Sequence, residues 1–200
     1  MKFLNIILSI LLLILTICGD YIVFKSKYSD SQLFRGFADS LVHASIGCVS
    51  AITFFSNGLN IPLSSCICNV SICTVLSSFI DVDHFIVART FNFKEFVSKR
   101  GIFHCTSFCL LITGILYIIY YNTRNPNILL LKFMFLIAYS SHHIRDSNRR
   151  GLWLYPYGHT PAIDYYLSVI IICILPHIYV YLYSHLKLNM KTYVNNYTVV

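Results

Sequence analysis

Long apolar runs separated by short polar segments dominate the pattern along this chain. About 20 apolar residues in helical form cross the hydrocarbon core of a bilayer, so runs of this length indicate membrane helices. The chain is predicted to be an all-α polytopic membrane helical bundle of about five to six spans. Residues 1–186 would form one transmembrane domain, and 187–200 a loose polar tail. The predicted spans lie near 4–24, 41–57, 63–88, 105–121, 128–144 and 164–184.

The first run has the look of a signal peptide, because Lys2 precedes a long apolar stretch that reaches Cys18. No clean small-residue cleavage site follows, and the apolar character continues to Phe24. We interpret this run as an uncleaved first span, which gives six spans; cleavage would leave five.

Composition excludes an ordinary soluble domain. Hydrophobic residues make up 56% of the chain and charged residues 12%, whereas soluble proteins carry about 25% charged residues. The net charge of +7 does not indicate a nucleic-acid partner, because the basic residues lie between the apolar runs. Seven of the eight cysteines lie inside those runs, where they are interpreted as packing residues.

The distribution of basic residues predicts the orientation. Loops 25–40, 89–104 and 145–163 fall on one side and hold ten of the fifteen lysines and arginines. Basic loops stay in the cytoplasm, so these loops are predicted to be cytoplasmic and both termini to lie on the opposite side.

A polar group closes the fifth apolar run. On a helix, His142 and Asp146 stand four residues apart and His143 and Asp146 three apart, so either pair shares a face. Such side chains are costly to bury without a partner, which makes the group a candidate site.

Further ionisable residues fall at the same end of the other spans, because successive spans alternate in direction. Imidazole and carboxylate together suit a divalent metal such as Zn, Mn, Fe or Mg, which would also activate a bound water for hydrolysis. The predicted metal ligands are His43, Asp81, His84, His104, His142, His143 and Asp146.

Simpler interpretations exist for the same residues. Asp39 and Asp164 fit N-terminal helix caps. The arginines beside the group are either topology signals or clamps for anionic lipid headgroups, namely Arg100, Arg145, Arg149 and Arg150. The whole group would then lock helix ends together in a scaffolding protein or a transporter.

Three strings within residues 35–180 resemble the transmembrane protein 267 family: Asp81-Val82-Asp83-His84, Phe103-His104-Cys105 and His142-His143-Ile144-Arg145-Asp146. The order of these blocks is more distantly similar to YdjM-like inner-membrane proteins, described as metal-dependent hydrolases, although Cys105 stands where that pattern usually has Ser. This second resemblance implies functional positions at His43, Asp81, Asp83, His84, Arg100, Gly101, His104, His142 or His143, and Asp146.

Together these observations lead to two functional hypotheses. In the first, the chain is a metal-dependent hydrolase that acts on a lipid-like substrate at the cytoplasmic membrane face. One carboxylate, Asp83, would act as base, and Arg100 or Arg145 would hold an anionic group of the substrate. In the second, the chain is a non-enzymatic scaffold or transporter with a structural His/Asp cluster.

Overall fold

A computed structural model describes residues 2–84 and 101–197, with side chains through Lys187. A 3-10 helix (Ile102–His104) precedes the fourth α-helix, and a short antiparallel pair, β1 (Trp153–Leu154) and β2 (Gly158–His159), follows the fifth. The all-α fold prediction is confirmed. The α-helices in these ranges are α1 (Lys2–Lys25), α2 (Gln32–Phe55), α3 (Leu63–Phe79), α4 (Thr106–Thr123), α5 (Pro126–Arg150) and α6 (Tyr165–Tyr197).

Five helical segments of the described ranges are long and apolar enough to cross a membrane. Their outward faces carry large apolar side chains, as α4 does with Leu110, Leu111 and Ile118. Such a surface is stable against lipid and unstable against water. The five segments are Lys2–Lys25, Gln32–Phe55, Leu63–His84, Thr106–Thr123 and Tyr165–Lys187.

Helix α5 is the inner helix of the bundle. It packs against α2, α3, α4 and α6, and its 25 residues would extend about 37 Å. It carries Lys132 and the polar group at its end, so it is less apolar than its neighbours, although the sequence predicted a span at 128–144. Polar residues within a membrane protein face the bundle interior, and α5 occupies that interior.

Three apolar clusters lie among the described residues, and two of them join helices that are far apart in the chain. Phe54, Phe133 and Tyr183 form the aromatic centre of one cluster, which joins α2, α5 and α6. Leu12 and Ile46 centre the other, where α1 packs against α2 and α6. The first helix is therefore part of the folded core.

Two helix starts test the predicted caps. Helix α2 begins at Gln32, where the Ser31 hydroxyl accepts a hydrogen bond from the Phe34 amide. Asp39 therefore lies within the helix, and its predicted role as a cap is wrong. Asp164 does cap α6, because its Oδ1 accepts a hydrogen bond from the Leu167 amide at 3.0 Å.

Helix α5 ends six residues beyond Ile144, where the predicted fifth span ends. It continues to Arg150 and stops at Gly151, whose φ of 69° favours glycine. A Cβ atom on Gly151 would lie 1.9 Å from the Thr160 carbonyl oxygen, so no other residue fits there. The extension fixes Arg145 and Asp146 on a rigid helix.

Two other predicted segments can be compared with the structure. Helix α6 continues to Tyr197, into the region where the sequence predicted a loose tail. Residues 85–100, which include the end of the third predicted span and most of one predicted basic loop, lie outside the described residues.

Candidate metal centre

The candidate site begins where α2 and α3 approach closely. Gly47 permits this approach, because a Cβ atom there would lie 2.6 Å from the Cβ of Ser77. The Ser77 hydroxyl donates a hydrogen bond to the His43 carbonyl oxygen at 2.9 Å. The contact places His43 of α2 and the backbone of Ser77 on the same side of α5.

Ser77 in turn orients His142 of α5. The Nδ1 atom of His142 lies 2.9 Å from the Ser77 carbonyl oxygen, which can only accept, so Nδ1 carries the proton. The Nε2 atom is then left with its lone pair directed into the cluster. The ring is fully buried and stacks on that of His43 with 3.6 Å between centroids.

Asp83 orients His104 in a similar way. Its Oδ1 accepts a hydrogen bond from Nδ1 of His104 at 2.9 Å, and its Oδ2 accepts one from the His104 backbone amide at 3.2 Å. Gly101 makes room for this carboxylate, because a Cβ atom there would lie 2.8 Å from it. A carboxylate bound to the outer nitrogen of a histidine is the usual support for a metal-ligating imidazole.

Four side-chain atoms converge between these supports. The Nε2 atoms of His104 and His142 are 3.3 Å apart. Oδ1 of Asp81 lies 3.6 Å from the former and 3.5 Å from the latter, and Oδ2 of Asp146 lies 3.8 and 3.9 Å from them. We call these four atoms the central site.

The charge around His104 favours a cation in the central site. Burial lowers the pKa of His104, but the facing carboxylates of Asp81, Asp83 and Asp146 outweigh it and raise that pKa to about 9. The three carboxylates thus keep the His104 imidazole protonated at neutral pH, where a histidine in water is mostly neutral. A divalent cation satisfies the same carboxylates.

Two more predicted ligands flank the central site on opposite sides. Nε2 of His43 lies 3.5 Å from Oδ1 of Asp146, so it faces the oxygen that does not belong to the central site. His84 lies beside His104, with 4.5 Å between the ring centroids, close to Asp83. Both histidines therefore adjoin the site.

His143 points away from the central site. Its Nε2 donates to the Phe103 carbonyl oxygen at 3.0 Å, and its Nδ1 lies 3.3 Å from the Thr106 hydroxyl. Of the two neighbouring histidines that the sequence could not distinguish, His142 is thus the one whose Nε2 enters the cluster. Arg100 lies outside the described residues.

Arg145 lies beneath the cluster, fully buried between two carboxylates. Its Nη2 atom is 2.9 Å from Oδ1 of Asp20 on α1, and its Nη1 atom is 2.6 Å from Oδ1 of Asp39 on α2. Arg149, one turn later, contacts Asp146 and is partly exposed. Arg145 therefore joins three helices, whereas Arg149 covers the site.

A small cavity leads to the central site from the other side. Its volume is about 10 Å³, roughly that of a single water-sized sphere. It is bounded by His104, Asp146 and the start of the β1 segment at Gly151–Trp153. A water in this space would lie against two residues of the central site, His104 and Asp146.

Sequence reasoning did not assign a site role to Asp20 or Ser77. Asp20 carried a signal, because an ionisable residue inside a membrane span is a functional candidate by default. Ser77 carried none, since the carbonyl that orients His142 belongs to the backbone and any residue would supply it.

The fold and its apolar surfaces define a multi-pass membrane protein in a lipid bilayer. Over 147 residues the chain is 30% identical to Transmembrane protein 267 of Bos taurus and 33% identical to that of Danio rerio. The matches cover 72% of this chain and 66% and 65% of the two relatives, so the chain spans just under two thirds of their length. The chain is thus a homologue of the proteins named Transmembrane protein 267.

Two other comparisons found nothing. No protein-family model matches the chain, and no solved structure matches it.

Proposed function

We propose that this chain is a membrane-embedded, metal-dependent hydrolase that cleaves a lipid-like substrate at the cytoplasmic face of its membrane. The proposal rests on the geometry of the central site and on the charge around it. The resemblance to YdjM-like proteins points to the same reaction class.

One observation carries the proposal. The two imidazole nitrogens and two carboxylate oxygens of the central site lie 3.3–3.9 Å apart in the measured pairs. Four ligands at 2.0–2.2 Å from a tetrahedral zinc ion would lie about 3.3–3.6 Å from one another. The five measured pairs are therefore within a few tenths of an ångström of the separations expected around such an ion.

The chain's own residues supply the remaining parts of a hydrolytic site. Asp83 and the Ser77 carbonyl hold the two imidazoles with their Nε2 atoms inward. Asp83 acts in this proposal as a positioning residue, because both of its oxygens bind His104. A bound divalent ion would supply an activated water at neutral pH. Oδ2 of Asp81, buried with no hydrogen-bond partner among the described residues, can accept the proton of that water.

The surroundings favour an amphiphilic substrate with an anionic group. The site lies at the end of apolar helices, where a headgroup meets the bilayer. Arg149 and Arg35 both lie over the ring of Phe24, 4.4 and 5.4 Å from its centroid, and form a basic rim beside the site. Arg145 has both its charged partners already, so in this proposal Arg149 takes the headgroup role first assigned to Arg145.

A second function is favoured by the buried ion pairs. Arg145 fastens α1 and α2 to α5 through Asp20 and Asp39, as a structural lock would. In this alternative the whole cluster stabilises a scaffold or transporter and binds no metal.

Metal analysis of the purified chain tests the proposal. The wild-type protein, purified without chelators, should carry a divalent metal, and His142→Ala should lose it while still inserting into membranes. His143→Ala is the matched control, because it removes the neighbouring imidazole on the same helix and should keep the metal.

Two results would support the structural alternative. The first is a well-folded wild-type chain that holds no metal and takes up neither added Zn²⁺ nor Mn²⁺. The second is an equal loss of expression and thermal stability in both histidine variants, because each would leave a buried partner unsatisfied.

A further inference from the structure

The two oxygens of Asp146 face different imidazoles. Oδ2 lies 3.8 Å from His104 Nε2 and belongs to the central site, whereas Oδ1 lies 3.5 Å from His43 Nε2 on the other side. A carboxylate placed in this way can bridge two ions. In two-metal hydrolytic sites the ions are about 3.5–4 Å apart.

Nε2 of His43 faces two carboxylates, with Oδ1 of Asp146 at 3.5 Å and Oδ1 of Asp39 at 3.9 Å. The His43 side chain is 1% exposed, and its Nε2 atom has no hydrogen-bond partner among the described residues. A buried imidazole nitrogen without a hydrogen bond is costly, and the separation from Asp146 suits two ligands of one ion. His43, His142 and Asp146 form one of the groups whose atoms are close enough to hold a metal.

The negative charge at this end of the bundle matches the positive charge of two divalent ions. When the Arg149 side chain turns into the solvent, five carboxylates and one guanidinium, that of Arg145, remain in the cluster. Their net charge is four negative charges, which two divalent ions neutralise. A single ion at the central site, with Arg149 still on Asp146, would leave one negative charge in a largely buried cluster. The carboxylates are those of Asp20, Asp39, Asp81, Asp83 and Asp146.

Arg149 occupies the position of the second cation. Its guanidinium contacts Oδ1 of Asp146 and lies 3.8 Å from Oδ2 of Asp39. The side chain is 31% exposed, whereas that of Arg145 is fully buried, so Arg149 is the arginine with a path into the solvent. The carboxylates at this position thus already bind a positive charge, one carried by a side chain that reaches the solvent.

We propose that Asp146 bridges two divalent ions, one in the central site and a second bound by His43 Nε2, Asp146 Oδ1 and water after Arg149 turns outward. The second ion rests on the proposed function, because it requires the first to hold Asp146 in its bridging position. Its donor set of one imidazole and one carboxylate with water suits Mn²⁺ or Zn²⁺.

Titration with Mn²⁺ tests the pair directly. The full chain, purified in detergent and stripped with a chelator, should bind two Mn²⁺ per chain. Electron paramagnetic resonance should show the spectrum of a coupled pair, because two paramagnetic ions a few ångströms apart interact magnetically. Neither readout depends on knowing the substrate.

Three variants separate the two ions. His43→Ala should bind one Mn²⁺ with the spectrum of an isolated ion, and His43→Gln serves the same purpose if the smaller side chain unfolds the protein. His143→Ala, the matched control, should bind two. Arg149→Gln should bind two and hold the second more tightly, about tenfold or more, since the competing guanidinium is gone.

The outcomes distinguish this inference from the proposed function. One isolated Mn²⁺ in the wild-type protein, or two coupled ions in both His43 variants, overturns the second site and leaves the central site intact. A folded wild-type chain that binds none overturns both.

Discussion

Arg145 and Asp20, 125 residues apart in the chain, form a buried ion pair in which Nε and Nη2 both lie 2.9 Å from the same carboxylate oxygen. The pair joins the first helix to the helix that carries the proposed metal ligands His142 and Asp146. The first helix therefore contributes to the position of the site as well as to its anchoring in the membrane.

Removing the charge of Asp20 should destabilise the fold. Asp20→Asn leaves Arg145 fully buried with one carboxylate fewer, and breaking a buried ion pair costs roughly 3 kcal/mol. Thermal unfolding in detergent should show a lower midpoint for this variant, whereas Asp30→Asn, at an exposed position, should unfold like wild type. Equal midpoints for Asp20→Asn and wild type would show that the pair contributes little.

Gly101 should control metal affinity through Asp83. Gly101→Ala places a methyl group 2.8 Å from the Asp83 carboxylate, which must move and release His104. Loss of such a supporting contact lowers metal affinity roughly 10–100-fold. Isothermal titration with Zn²⁺ would measure the change, and Gly114→Ala, with open space at its Cβ, is the control. Unchanged affinity in Gly101→Ala would remove Asp83 from its positioning role.

Metal binding should release a proton from His104. Because its pKa is raised to about 9, this imidazole is protonated at pH 7, and an ion must displace that proton to reach Nε2. The apparent Zn²⁺ affinity should therefore rise about tenfold per pH unit as the pH increases from 7 toward 9. Calorimetry in buffers of different ionisation enthalpy counts the released protons.

The matched comparison for proton release is His104→Gln. The zinc affinity of this variant should depend less steeply on pH, because the variant lacks the imidazole that must lose a proton. A steep rise in the variant equal to that of the wild type would assign the proton to another group.

The predicted cytoplasmic position of the site can be tested by cysteine labelling. Tyr157, 91% exposed in the turn between β1 and β2, lies at the site's end of the bundle, and Asn127 lies exposed at the opposite end of α5. An impermeant maleimide should reach Tyr157→Cys only when the cytoplasm is opened, and Asn127→Cys only from the other side. The reverse pattern would place the site outside the cytoplasm.

The sequence alone determined the class of the protein. The lengths and apolar character of its runs are sufficient to indicate helices in a membrane, because backbone groups in lipid must be bonded within each segment. The alternation of those helices also predicted that His43, Asp81, His104, His142 and Asp146 lie at one end. Nothing in this inference required knowledge of how the helices pack.

Helix boundaries were less well determined. The polar residues near Asp39 and Arg145 were interpreted as loop or helix-end residues, since hydropathy is low there. In the structure they belong to α2 and α5. Their polar side chains are satisfied by ion pairs inside the bundle, so the helices continue where the sequence pattern ends.

Only the tertiary structure decided which atoms face one another. The sequence left His142 and His143 as equal candidates, and the choice follows from the Ser77 carbonyl and the Phe103 carbonyl, which bind one ring each. Arg145 could not be assigned, because its partners Asp20 and Asp39 lie more than a hundred residues away in the chain. Side-chain direction depends on how helices approach and rotate against each other, and a single sequence carries no record of that geometry.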